Sequence, residues 1–171
     1  MITLMQLCDF DKMYQIMSQS FPSDEFRPYD EQKALLDNPL YSVYTLIDGD
    51  EMKAFIAVWN FDSFLYVEHF AVNPMHRNGG LGSQILSDIK SVFQKNVCLE
   101  VEPPENDVSR RRIEFYKRNG FYLNDYPYIQ PAISKGKNPV PLMLMTTECG
   151  LNEKELDNIK YELYKRVYKV C

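Results

Sequence analysis

The chain has 171 residues, 45% hydrophobic and 25% charged, and its 24 acidic and 19 basic residues leave a formal net charge of −5. That is the make-up of one globular domain with a real core, and the acidic balance sets aside a broad nucleic-acid-binding surface. Four scattered cysteines (Cys8, Cys98, Cys149 and Cys171), two histidines and no CxxC set aside a zinc site and a disulfide framework, so no metal is expected. No secretory signal pattern opens the chain and no apolar run nears 18 residues, so the expectation is a soluble cytoplasmic protein with no membrane partner.

Met1 to Leu7 alternates apolar and polar residues, the pattern of a half-buried strand. Asp9 or Asp11 can then cap a helix carrying Met13, Tyr14, Ile16 and Met17, which ends near Phe21-Pro22. A polar and aromatic connector, Ser23 to Tyr29, leads to a short helix over about Asp30–Leu36. Tyr41–Ile47, Asp48-Gly49-Asp50 and Met52–Trp59 predict a β-hairpin, and a third strand follows over Phe64–Val72. Beyond a glycine-rich loop, Ser83 to Phe93 is amphipathic, and Asn96–Val101 reads as a nearly continuous apolar strand closed by Pro103-Pro104. Helical spacing over Ser109–Asn119 stops at Gly120. Strands about Phe121–Leu123 and Leu142–Thr146 follow, separated by a loop containing proline, glycine and lysine.

From Asn152 a last amphipathic helix begins, with Asn152 and Glu155 as a capping box. Leu156, Ile159, Leu163, Val167 and Val170 form its apolar stripe, which docks either on its own domain or on a second copy. The expected organisation is a domain over 1–150 followed by this helix over 151–171.

The most informative stretch is Glu68 to Gly82. Strand, tight glycine loop and helix in succession form a cradle of backbone N–H groups suited to a phosphate. A P-loop would need Lys-Ser or Lys-Thr after its last glycine, and Gly79-Gly80-Leu81-Gly82 lacks the GxGxxG spacing of a dinucleotide fold. What remains is Arg77-x-x-Gly80-x-Gly82 running directly into a helix.

With Phe70-Ala-Val-Asn-Pro74 before that loop and Leu81, Ile85, Leu86 and Ile89 after it, the chain resembles the GNAT superfamily of acyl-CoA-dependent N-acetyltransferases. Ile113-Glu-Phe-Tyr-Lys-Arg-Asn-Gly-Phe121 looks like the family's second motif, and the resemblance covers roughly residues 1–147. It implies a single-domain α/β (α+β) fold with a mixed, mostly antiparallel sheet of six to seven strands. A splayed central pair and helices on both faces are also expected. The implied activity is transfer of acetyl from acetyl-CoA to a primary amine by direct attack in a ternary complex. The alternative is a non-catalytic acyl-CoA-binding or sensing module on the same fold.

The resemblance also implies which residues serve the cofactor. Phe70, Ala71 and Val72 offer main chain to the pantetheine arm, and Arg77, Asn78, Gly79, Gly80, Leu81, Gly82 and Ser83 hold the pyrophosphate. Tyr116 takes the place of the tyrosine that protonates or hydrogen-bonds the CoA sulfur. Ser109 stands where many relatives carry asparagine, so the pantetheine contact there is kept by its hydroxyl, moved to Asn106 or lost. Arg110, Arg111 and Arg112 either reach the adenosine 3′-phosphate or form a solvated helix face.

Glu68 is the leading base, placed by strand parity on the face of Phe70 and Val72. Glu100 and Glu102, acting directly or through water, are its alternatives. His69 is expected to pack under the helices and His76 to be exposed. Asp24, Glu25 and Arg27 in the connector can recognise an amino-acid-like group, and the Tyr126–Pro141 loop shares the acceptor side. The partner is a small-molecule, peptide or protein amine, and the assembly a monomer or homodimer.

Overall fold

The computed structural model describes residues 1–170, so Cys171 lies outside the described residues. The chain forms two compact units, residues 1–22 with 28–97 and residues 23–27 with 98 onward. Between them they hold five α-helices and nine strands, a mixed α/β architecture in which every strand pairing inside a unit is antiparallel.

In the first unit, β1 (Thr3–Leu4), β2 (Tyr41–Asp48), β3 (Glu51–Asn60) and β4 (Phe64–Val72) lie in that order. The β2–β3 hairpin turns at Gly49-Asp50, where Gly49 has φ +61°. The expected N-terminal strand shrinks to two residues, because Leu7–Asp9 turns into a 3-10 helix ahead of α1 (Phe10–Ser20). Asp9 sits at the cap of α1, but its side chain makes no cap bond; the carboxylate pairs with Lys12 at 3.4 Å instead. The unit also carries α2 (Tyr29–Ala34), extended by a 3-10 turn over Leu35–Asp37, and α3 (Leu81–Phe93).

Residues directly opposite on paired strands share a face. Val43, Ala57 and His69 make one row, and His69 meets the ring of Phe21, just beyond α1, with centroids 5.0 Å apart. Tyr44, Ile56 and Phe70 make the next row on the other face, where Tyr44 meets Phe93 of α3 at 5.9 Å. Helices therefore cover both faces of this sheet, and Met13, Met17, Phe55, Ile56, Ile85 and Leu86 are fully buried between the layers.

In the second unit, β5 (Asn96–Val101, from Cys98 on), β9 (Met143–Thr146) and β6 (Tyr122–Leu123) lie side by side in that order. α4 (Asp107–Arg118) buries Ile113 and Tyr116. The segment between β6 and β9 holds a small β-hairpin, β7 (Ile129–Gln130) with β8 (Val140–Pro141), where the composition had suggested only a loop.

α5 (Glu153–Glu162) starts with the expected capping box: Asn152 Oδ1 accepts the Glu155 N–H at 3.0 Å, and Glu155 accepts the Asn152 N–H at 2.7 Å. Leu163–Val167 then widens into a π-turn, closed by the Tyr168 N–H on the Leu163 carbonyl. Leu156, Ile159, Leu163 and Val167 are buried as one stripe. The π-turn breaks the 3.6-residue period, and Val170 falls out of the stripe to 36% exposed.

Candidate active site

The glycine-rich loop is built by its two ends. Asn73 closes β4: its N–H bonds the Lys53 carbonyl at 2.8 Å, and its Oδ1 accepts the Met75 N–H at 3.1 Å. Pro74–His76 makes one 3-10 turn, after which Asn78 (φ 68°) and Gly80 (φ 78°) take left-handed conformations that turn the chain into α3. The Gln84 N–H on the Gly80 carbonyl, at 3.1 Å, is the first bond of the helix ladder. The amides of Leu81, Gly82 and Ser83 therefore lie outside that ladder, at the positive end of a 13-residue helix.

Arg77 is exposed, and its Nε donates to the Val72 carbonyl at 3.2 Å, which ties the head of the loop to the end of β4. A Cβ added at Gly80 would meet nothing within 4 Å, and one at Gly79 only the His76 carbonyl at 3.9 Å. The space over these glycines is open, with convergent amides and one guanidinium at its edge. Those are the donors and the clearance that a pyrophosphate requires. His76, expected in solvent, is instead half-buried and pairs with Glu51 at 2.8 Å across the neighbouring hairpin turn. The Glu51 carboxyl is held below its ordinary range by hydrogen bonds from His76 and Lys53.

The parity argument for Glu68 fails at a β-bulge. Ala57 pairs with His69 and Val58 with Val67, so the register skips Glu68, an extra residue of β4 at the bulge. Its carboxylate accepts the Trp59 indole N–H at 2.9 Å and lies 3.9 Å from His69 Nδ1. Trp59 shares the parity of Ala57, so Glu68 reaches toward the His69 face rather than the face of Phe70. Its side chain is only 2% exposed. His69 packs in the core beneath α1, as its parity requires.

In the second unit, Tyr116 stands among Phe115 and Phe121, with ring centroids 5.3 and 5.6 Å away, and is 8% exposed. Burial pushes its hydroxyl up to about 12, against the pull of the nearby Arg112 charge. At neutral pH Tyr116 is a protonated phenol, able to give a proton. Ser109 is buried and closes a capping box on α4. Its hydroxyl donates to the Asn106 carbonyl at 3.0 Å and accepts the Asn106 N–H at 3.2 Å, while Asn106 Oδ1 accepts the Ser109 N–H at 2.9 Å. The Asn-to-Ser departure thus serves the start of α4.

Of the run Arg110 to Arg112 on α4, Arg110 pairs with Asp107 at 2.7 Å, and Arg112 lies 3.9 Å from Glu102. Glu100 on β5 accepts hydrogen bonds from the hydroxyls of Tyr128 and Tyr168, the latter at 2.9 Å. Burial, reinforced by the charge of Glu100, raises the Tyr128 hydroxyl well above the ordinary phenol range, so Tyr128 stays a donor.

The connector expected to recognise the acceptor divides its labour. Arg27 is buried and donates to the Val167 carbonyl at 3.2 Å. Asp24 accepts the backbone and side-chain N–H groups of Asn138, bonds that hold its carboxyl below the ordinary range. Glu25 behaves in the opposite way: burial, then the Glu102 charge, pushes its carboxyl up to about 7, with Arg112 opposing. Trp59, Tyr128 and Tyr168, which hold two of the anticipated carboxylates, were not legible as site residues. They lie outside both motifs, and only the abundance of tyrosine, 12 in all, hinted at such roles. Among the described residues no group of three or more His, Cys, Asp or Glu is placed to hold a metal ion.

A strand, a left-handed glycine loop opening a helix, and a buried tyrosine on a second-motif helix define an acyltransferase class. The sequence profile of the Acetyltransferase (GNAT) family matches residues 10–121, and the chain belongs to that family. It is 32% identical over 160 residues to the Bacillus subtilis (strain 168) protein named "Putative acetyltransferase YjbC", covering 91% of this chain and 80% of that one. The structure superposes with a TM-score of 0.91 on a protein titled "Putative acetyltransferase from GNAT family from Bacteroides thetaiotaomicron". Identity to it is 33%, and the match covers 100% of this chain and 99% of that one. An aminoglycoside 6′-N-acetyltransferase complexed with coenzyme A has the same fold, with TM-score 0.62, 14% identity and coverage of 89% and 99%. No helix among the described residues is long and apolar enough to cross a membrane.

Proposed function

We propose that this protein is an acetyl-CoA-dependent N-acetyltransferase that acts in the cytoplasm on a primary amine, by direct attack in a ternary complex and without a metal. The observation that carries this is the Arg77–Ser83 loop, with open space over Gly79 and Gly80 and three amides turned out of the helix ladder. Bound there, acetyl-CoA supplies an activated acetyl carbon on sulfur. Arg77, Asn78, Gly79, Gly80, Leu81, Gly82 and Ser83 hold its pyrophosphate, and Phe70, Ala71 and Val72 present main chain to its arm. Ser109 serves the cofactor by shaping the start of α4. Tyr116, protonated at neutral pH, gives its proton to the leaving sulfur.

The proton lost by the amine must go to a carboxylate or through water to one. Glu68 is the base the family resemblance suggests, with Glu100 and Glu102 as alternatives. An amine acceptor, whether a small molecule or a protein terminus, suits the net charge of −5. The test supplies acetyl-CoA with spermidine, an aminoglycoside, lysine amide and an alanyl peptide, and follows free thiol. Thiol release above the hydrolysis rate with at least one amine is expected. Tight CoA binding with no release on any of them would instead support a non-catalytic acyl-CoA-binding module.

A further inference from the structure

α5 and its π-turn bury one face and leave the other uncovered. Leu156, Ile159, Leu163 and Val167 are buried, while Asp157, Asn158, Tyr161, Tyr164 and Lys165 line a groove of about 690 Å³. Tyr161, midway along it, is 57% exposed, the most exposed aromatic ring among the described residues.

The groove is ordered before anything enters it. Lys160 Nζ lies 5.8 Å from the Tyr126 ring centroid and 5.4 Å from that of Tyr164. Lys165 Nζ lies 5.2 Å from the Tyr161 centroid and donates to the Tyr161 hydroxyl at 3.1 Å. Asp157 accepts the Tyr126 hydroxyl, and the Tyr164 hydroxyl is fixed on the Ile129 carbonyl. Long side chains already laid against rings lose little freedom when a partner covers them. The end of the chain turns to the same groove. Lys169 takes a left-handed conformation (φ 56°), uncommon for a residue with a side chain, and the Val170 N–H returns to the Tyr164 carbonyl at 2.8 Å. Val170, shed from the buried stripe by the π-turn, lines the groove instead.

The groove residues are arranged symmetrically about Tyr161. Asp157 and Lys165 stand four residues to either side of it, and Asn158 and Tyr164 three. Charge follows the same centre. The segment is net acidic before Tyr161, through Glu153, Glu155 and Asp157, and net basic after it, through Lys165, Arg166 and Lys169. Such a helix is complementary to its own copy laid antiparallel across a two-fold axis at Tyr161. The two tyrosines then meet at the axis, and each Asp157 faces the partner's Lys165.

We propose that this face of α5 is an isologous dimer contact, covered by α5 of a second copy in antiparallel register about Tyr161. A net charge of −5 on each copy opposes indiscriminate association, so the apolar rings supply the attraction and the charged ends set the register. A merely acidic partner would satisfy Lys165 and repel Asp157, whereas a second copy satisfies both. The pairing needs neither acetyl-CoA nor turnover, so its failure leaves the transferase reading standing.

Analytical ultracentrifugation of the full chain should show a reversible monomer–dimer equilibrium with a dissociation constant on the order of 10 µM, as a contact of one helix per copy allows. Lys165→Glu sets a new carboxylate against Asp157 twice over, and Asp157→Lys sets a new ammonium group against Lys165 twice over. Each should weaken the dimer by roughly 10-fold or more. Mixed in equal amounts, the two variants should recover it as a heterodimer, because each new charge then meets its opposite. Asp157→Lys also gives up the Tyr126 hydrogen bond, so melting curves are recorded for every variant. Tyr161→Asp alters an exposed ring, places like charges on the axis itself, and should give a folded monomer. A wild type that stays monomeric up to about 100 µM overturns the proposal. So does a dimer that both Tyr161→Asp and Lys165→Glu leave intact, since it assembles through another face. Folded Lys165→Glu and Asp157→Lys proteins that stay apart on mixing would refute the antiparallel register.

Discussion

Tyr116 shows how one side chain gets its chemistry from its surroundings. Phe115, Phe121 and the body of α4 exclude water from the phenol, and desolvation disfavours the phenolate, so the hydroxyl moves to about 12. The proton is held through the physiological range. Tyr116→Phe keeps the packing and removes the proton, so kcat should fall by roughly 10²-fold while the acetyl-CoA dissociation constant stays within about twofold of wild type. Steady-state kinetics beside a binding titration checks this, and unchanged turnover would leave Tyr116 a packing residue.

The place of Tyr116 on a helix was legible because Ile113–Phe121 brings its own context: an apolar helix that stops at Gly120. The orientation of Glu68 was not. Strand parity holds only while the ladder is regular, and the bulge depends on pairing with β3, a partner some ten residues away in sequence. A single extra residue turned the carboxylate from the face of Phe70 toward Trp59.

At the scale of elements, legibility followed the strength of local signals. β4 spans Phe64–Val72 and β5 spans Asn96–Val101, as their apolar runs predict, because length, β-branched content and flanking turn residues agree there. The capping box of α5 was equally plain, since Asn152 and Glu155 satisfy each other's orphan donors through bonds local in sequence. Asn152→Ala should lower stability by about 1 kcal/mol in a denaturant melt and leave acetyl-CoA affinity as it was.

Two elements escaped for a shared reason. The β7–β8 hairpin has only two residues per strand and lies in a stretch rich in proline, glycine and lysine. Contacts distant in sequence hold it: Gln130 and Asn138 bond Asp24, and the Tyr164 hydroxyl donates to the Ile129 carbonyl. The π-turn after α5 continues an apolar stripe that an α-helix would serve as well. The widened turn sets Tyr168 so that its hydroxyl reaches Glu100. Neither feature leaves a mark on hydrophobic periodicity.

For the molecule as a whole, donor and acceptor were unequally legible. The proposed donor site consists of main chain, glycine conformations and one arginine, features that a short motif can spell out. The expected acceptor side, the Ser23–Arg27 turn and the segment over 126–141, is held by bonds distant in sequence such as those from Asn138 to Asp24, which no short motif spells out. Membership of the GNAT family is shown by the profile match over residues 10–121 and by relatives about one-third identical.

The most direct test is therefore a calorimetric titration of acetyl-CoA into wild type and into Gly80→Val. At φ 78° a β-branched residue is strained, and its side chain would occupy the open space over the loop. The account predicts stoichiometric binding to wild type and its loss in a variant that still folds. Equal binding by both proteins would contradict the assignment of Arg77–Gly82 as the pyrophosphate cradle.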